Sequence, residues 1–129
     1  MIDPTLAPIA ALAIFQVKHV LCDYFLQTSN QIRNKGRYGH PAGLGHAGIH
    51  ALGSIPVFLI YPIALPIALL LLALEFVTHY HIDWFKSGLC DRYGWGPADR
   101  AFWWAIGLDQ LAHQATYLAM TLALVLLTR

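Results

Sequence analysis

Four apolar stretches separated by short polar ones set the pattern of this chain: residues 5–26, 44–61, 63–85 and 101–127. A bilayer core about 30 Å thick takes roughly 20 helical residues to cross, and each stretch approaches that length. The cleanest runs are Pro62 through Leu74 and Tyr117 through Leu127, neither of which holds a charge. The second stretch is the shortest and carries Gly45, Gly48, Gly53 and Pro56. Small residues of that kind let helices pack closely in lipid. Pro62 and Pro66 make the second connection a tight turn, and Gly94-Trp95-Gly96-Pro97 reads as a stop, with Pro97 opening the fourth helix. The pattern predicts an all-α fold, a transmembrane four-helix bundle forming a single domain over residues 1–129.

Composition agrees. The chain is 57% apolar and only 12% charged, with a mean hydropathy of +0.52. Soluble domains run near 45–50% apolar and about 25% charged. Disorder is excluded by the same numbers, and a net charge of +1 gives no reason to expect nucleic acid as a partner. Membrane lipid is the expected surrounding, and a homo-oligomer remains open.

Charge placement adds orientation. Arg33, Lys35, Arg37, Lys86, Arg92 and Arg100 fall in the first and third connections, which lie on one side of the bundle. The positive-inside rule makes that side cytoplasmic and puts both termini outside. Trp84, Phe85, Trp103 and Trp104 sit where the cytoplasmic interface should fall. The N-terminal stretch is not expected to be a secretory signal, because no Lys or Arg precedes Lys18. Cys22 and Cys90 are too few and too separated for a disulfide framework.

Acids and imidazoles are inverted relative to the bases: four of the seven acids (Asp23, Glu75, Asp83 and Asp109) and every histidine but His40 lie inside or at the ends of the apolar stretches. Each stretch carries one pair at i and i+4: His19 and Asp23, His46 and His50, His79 and Asp83, Asp109 and His113. Residues four apart share one helical face. Helix direction alternates, so a shared site needs pairs late in the first helix, early in the second, late in the third and early in the fourth. That is their order. One buried His beside one Asp is ordinarily a satisfied polar pair. Eight ionisable groups in an apolar bundle are costly unless something compensates them, and a divalent cation does so well. Bundles build dinuclear sites from such inward-facing His and carboxylate pairs.

The ligand set expected is therefore His19, Asp23, His46, His50, His79, Asp83, Asp109 and His113. It suits two divalent ions, zinc first, with manganese or iron as alternatives. Asp23, Asp83 and Asp109 are the candidate catalytic groups. Gln27, Asn34, Lys35, Arg37 and Lys86 are candidates for binding a substrate at the mouth, which Lys18 also flanks; the bland account of the bases is membrane anchoring. Glu75, one turn before His79, is a candidate outer ligand or base or, equally, a protonated acid in an interhelical hydrogen bond. Gln110 supports the site or makes a helix contact, His81 is interfacial or supports a ligand, and Cys22 packs, although it lies near enough to His19 to graze the site.

The strings FQVKHVLCDYFLQT, NKGRYGHPAGLGHAGIHAL, EFVTHYHIDW and FWWAIGLDQLAHQATY together resemble a bacterial family of multi-pass membrane proteins, domain of unknown function 3307. That resemblance implies a bacterial inner membrane location and leaves the activity open. Its characteristic polar positions map onto His19, Asp23, Gln27, Asn34, Lys35, His46, His50, His79, Asp83, Asp109 and His113. More distantly, the His-x-x-x-Asp pattern is similar to inner-membrane metal-dependent hydrolases, themselves likened to zinc phospholipase C and its nuclease relatives. The function expected is a membrane-embedded metal-dependent hydrolase of a lipid phosphoester or similar amphiphile. A divalent cation or proton transporter, or a metal-binding membrane protein without hydrolase activity, is the alternative. Haem fits three carboxylates poorly.

Overall fold

The computed structural model describes residue 3 and residues 5–129, and among them every regular element is helical. The order is α1 (Ala7–Val20), a π-helical turn (Leu21–Phe25), α2 (Ser29–Asn34), α3 (Pro41–Gly53), a 3-10 turn (Ile55–Leu59), α4 (Leu65–Tyr93) and α5 (Arg100–Leu127). Four of these pack as a ring in which α1 touches α3 and α5, and α4 touches α3 and α5. Three helical stretches are long and apolar enough to cross a membrane: Pro41–Leu59, Leu65–Tyr93 and Arg100–Leu127.

The first expected stretch is helical, as α1 and its π turn, but it is not among those three. Gln16, Lys18, His19 and Asp23 lower its apolarity. The second begins at Pro41, which occupies a first-turn position where its missing N–H costs nothing, and His40 caps it by accepting from the Ala42 N–H at 3.1 Å. It tightens into 3-10 geometry at Ile55–Leu59, where Pro56 sits in the first turn. The third continues two turns beyond residue 85, to Tyr93, and ends on Gly94 at φ 65°, a left-handed cap suited to glycine. At 1.5 Å per residue, α4 is about 43 Å long and outruns a ~30 Å hydrocarbon core. The fourth opens later than Pro97 suggests: Asp99 is its N-cap, and the Asp99 carboxylate accepts from the Gly96 N–H at 2.8 Å.

The first connection holds an element that hydropathy could not show. Thr28 and Gln31 form a reciprocal capping box for α2: the Gln31 N–H donates to Thr28 Oγ1 at 3.2 Å, and the Thr28 N–H donates to Gln31 Oε1 at 2.8 Å. This short helix brings Lys35 back over the bundle end, where it is buried.

The interior is divided along its length. At the end holding the start of α1 and the close of α5, Ala7, Ala11, Phe15, Val57, Tyr61, Leu71, Tyr117, Met120 and Leu124 form an apolar core. Phe15 and Tyr117 stack with centroids 5.1 Å apart. At the other end most buried side chains are polar. Large apolar side chains are exposed along the whole length, Leu59 and Leu65 near the apolar core and Leu108 and Trp104 near the polar layer, an arrangement that suits lipid as solvent.

The loop after α2 reaches α4 through Gly36. A Cβ there would stand 2.8 Å from Asp91 Oδ2, 3.1 Å from the Gly88 nitrogen and 3.2 Å from the Ser87 carbonyl carbon. Two of those neighbours are backbone and cannot swing aside. Gly36→Ala is therefore expected to push the loop off α4 and lower the melting temperature in detergent. Gly96→Ala, with nothing within 4 Å of its Cβ, should melt as wild type does. Equal melting of the two variants would contradict the close approach.

Candidate metal centre

The four i, i+4 pairs, three of His with Asp and one of two His, converge in one layer between α1, α3, α4 and α5. The His50 and His79 rings stack with centroids 3.7 Å apart, His79 and His113 lie 4.3 Å apart, and His46 and His50 4.7 Å apart. His19 lies 5.1 Å from His113 and 5.3 Å from His50. All five of these imidazoles are buried.

Asp23 is the hub on one side. Its Oδ1 is 3.0 Å from His50 Nε2 and 3.1 Å from His46 Nε2, and its Oδ2 is 3.1 Å from His19 Nε2. The residue lies in the π turn, a distortion that often accompanies functional positions. On the other side, Asp83 Oδ2 lies 3.2 Å from His46 Nε2, 3.4 Å from His79 Nε2 and 3.3 Å from Lys35 Nζ. Two sets of ligand atoms are each mutually within 4.8 Å: Asp23, His46, His50 and His79, and then His79, Asp83 and His113. His79 belongs to both.

The contacts among these groups do not satisfy them. Both ring nitrogens of His79, Nδ1 of His50, Nε2 of His113 and Oδ1 of Asp109 are buried without a hydrogen-bond partner. His46 Nε2 faces two carboxylates and the Gln27 amide, 3.0 Å away, although one nitrogen offers either one proton or one lone pair. Unpaired buried polar atoms ordinarily cost about 1–3 kcal/mol each. Glu75 is paired with Lys18 and Asp83 with Lys35, whereas Asp23 and Asp109 have no Lys or Arg within 4.0 Å among the described residues. Orphaned imidazole nitrogens beside carboxylates that lack a cationic partner are the donor set a divalent cation takes.

Supporting contacts fix two rings. His113 Nδ1 lies 2.9 Å from the Asp109 carbonyl oxygen, which leaves Nε2 to face the layer. His19 Nδ1 lies 2.9 Å from the Tyr117 hydroxyl, and its Nε2 is also 3.1 Å from Gln110 Oε1. Ligating histidines are commonly held this way, by a hydrogen bond to the second nitrogen. His19 and Asp109 stand next to the two ligand sets without belonging to either.

A polar cleft of about 130 Å³ leads to the layer, lined by Asp23, Gln27, Lys35, Lys86, Asp109 and Gln110 among others. Of the residues expected at a mouth, Gln27, Lys35 and Lys86 are there. Asn34 and Arg37 are not: the Asn34 amide donates to the Asn30 carbonyl at 3.0 Å and to Asn30 Oδ1 at 2.8 Å, and Arg37 is exposed. Lys18 is also displaced from its expected place. It is buried behind the imidazoles, where it bonds Glu75 and donates to the His50 carbonyl oxygen at 3.0 Å. Glu75, a candidate outer ligand by its i+4 spacing to His79, pairs through Oε1 with Lys18, and its Oε2 is buried without a partner. Tyr117, which orients His19, had no signal in the sequence beyond lying one turn after His113. His81 packs with Tyr38 and Trp84, and Cys22 lines an apolar groove.

The fold and the site define an all-helical protein with membrane-length helices around a buried His/Asp cluster. Residues 11–129 match the sequence profile described as protein of unknown function (DUF3307), and the chain belongs to that family. No curated protein and no solved structure matches it.

The Lys18–Glu75 pair yields a stability prediction. Removing one partner leaves a buried charge uncompensated, which typically costs about 3–5 kcal/mol. Lys18→Met should destabilise strongly, and Lys18→Met with Glu75→Leu should recover most of the loss. Equilibrium unfolding in detergent measures both, and a double variant no better than the single one would contradict the pairing.

Proposed function

We propose that the chain is a membrane-embedded, metal-dependent hydrolase of a lipid phosphoester or similar amphiphile, with the imidazole–carboxylate layer holding divalent ions, zinc first. The observation carrying this reading is the coincidence of orphaned ligand atoms with a cleft lined by two lysines and two carboxylates. Asp23, His46, His50 and His79 would hold one ion, and His79, Asp83 and His113 another, with His79 giving up its ring proton to solvent where it serves both as an imidazolate. His19 and Asp109 complete the surroundings. Divalent cations there would supply Lewis acidity and a lowered pKa for water near the phosphoryl group.

The chain's own residues supply the rest. Lys35 and Lys86 attract the anionic headgroup, and Gln27 and Gln110 orient it. Asp109 is the carboxylate best placed as base, because it lines the cleft and has one oxygen unengaged, whereas Asp23 and Asp83 are surrounded by imidazoles. Water forms the new bond to phosphorus while the bond to the lipid alcohol oxygen breaks. Asp109 takes the proton from water and returns it to the leaving oxygen. By the positive-inside rule this cleft would face the cytoplasm across a bacterial inner membrane, with both termini on the opposite side.

Elemental analysis of protein purified in mild detergent should find roughly one to two equivalents of divalent metal, as the donor count allows. His79→Ala, which removes the shared ring, should lose nearly all of it, and His113→Ala should keep about one equivalent, held by the other four side chains. Wild type should release phosphate from phosphatidic acid, and Asp109→Asn should not, although it retains metal. Metal uptake into proteoliposomes without any phosphate release would instead select transport.

A further inference from the structure

We propose that the seam between α4 and α5 is a lateral slot for the hydrocarbon chain of an anionic amphiphile whose headgroup enters the polar cleft. Phosphatidic acid is the simplest such molecule. The proposal rests on the hydrolase reading only for what happens to the headgroup; occupancy of the slot is a separate matter of binding.

Continuity carries the argument. An apolar groove of about 260 Å³ between α4 and α5 is lined by Ile82, Phe85, Leu89, Leu108 and Ala112, and it shares Lys86 and Asp109 with the polar cleft. A second groove of about 520 Å³ follows along the same two helices, from Thr78 to Leu71 and from Ala115 to Ala123. Thr78 lies one turn before Ile82 on α4, and Ala112 lies three residues before Ala115 on α5, so the grooves succeed one another along one seam. From Leu89 to Leu71 the seam runs about 27 Å at the helical rise, close to the ~30 Å of a hydrocarbon core. Alanines on α5 keep it open.

At the junction stands Asp109, itself only 7% exposed and with Oδ1 lacking a partner. Lys86 lies beside it, half-buried, and Lys35 lines the same cleft. An anionic headgroup there would meet the ammonium of Lys86 and that of Lys35, the latter shared with Asp83, beside the carboxylates of Asp23 and Asp109, and its chain would have an apolar path leading away. A larger groove of about 730 Å³ between α1 and α3 offers no such route. It shares no residue with the cleft, and the ammonium of Lys18, which lines it, is turned inward to Glu75 and the His50 carbonyl. Volume alone would favour that groove; connection to the site favours the seam.

The test is photolabelling of the full chain in nanodiscs of phosphatidylethanolamine and phosphatidylglycerol. The probe is phosphatidic acid carrying a diazirine near the end of one acyl chain, and labelled peptides are mapped by mass spectrometry. Label should concentrate on seam residues of α4 and α5 and be displaced by unlabelled long-chain phosphatidic acid. Inorganic phosphate should displace little of it. Ala112→Trp, which fills the groove, should reduce seam label to the level of the rest of the lipid-facing surface, and Lys86→Glu should weaken it. Leu52→Trp in the α1/α3 groove should leave it unchanged. Should Ala112→Trp fail to fold, Ala105→Phe nearer the cleft serves the same purpose. Label spread evenly around the protein, concentrated between α1 and α3, or undiminished by the filling variant would overturn the slot, as would chain-to-chain crosslinks along α4 and α5. Metal content measured on the same samples separates the two proposals: seam labelling without metal would sink the hydrolase and leave the slot standing.

Discussion

More lone pairs than protons meet around Asp23 and Asp83, and that imbalance governs this structure. The imidazoles of His19, His46 and His50 press their Nε2 atoms against Asp23, and His46, His79 and the Lys35 ammonium crowd Asp83. Hydrogen bonds alone leave His79 with neither ring nitrogen engaged. In a low-dielectric interior such a network is costly while any member is unsatisfied. A cation relieves several of these deficits at once, because it accepts lone pairs from imidazole and carboxylate together. Removing one ligand would therefore disturb the whole layer.

The rest of the molecule is arranged to hold that layer. The apolar core at one end, with Phe15 stacked on Tyr117, fixes α1 against α5, and Tyr117 extends from this core to bond His19. Lys18 and Glu75 tie α1 to α4 and to the backbone of α3 just beneath the imidazoles. At the other end α2 and its loop bring Lys35 onto Asp83. The polar layer is thus clamped from both sides by contacts that do not themselves need an ion. Ligands placed on packed helices and held by neighbours are more precise than ligands on loops.

Much of this was legible in the hydropathy pattern and the i, i+4 spacing. The all-helical class and the convergence of eight polar side chains follow from alternating helix direction, because depth along each helix is set by counting residues. Three features were not legible. Lys18 looks from sequence like an interfacial base, but its register on α1 points it inward, and only a partner on another helix, Glu75, makes that tolerable. The π turn at Leu21–Phe25 has no sequence signature comparable to a cap or a proline. Asn34 and Arg37, expected at the mouth, lie elsewhere: the Asn34 amide closes onto Asn30 within α2, and Arg37 is exposed on the loop that follows. Periodicity reports faces of long helices well and says little about short elements whose direction depends on tertiary contacts.

The central claim concerns the atoms around a bound ion, and X-ray absorption at the metal edge of the purified protein in mild detergent tests it most directly. The account predicts a first shell of nitrogen and oxygen at about 2.0–2.2 Å with the outer-shell scattering of several imidazole rings. A sulfur shell near 2.3 Å would place the metal on cysteine instead, and protein that retains no metal after purification would leave the layer as a network of hydrogen bonds. Either result would contradict it.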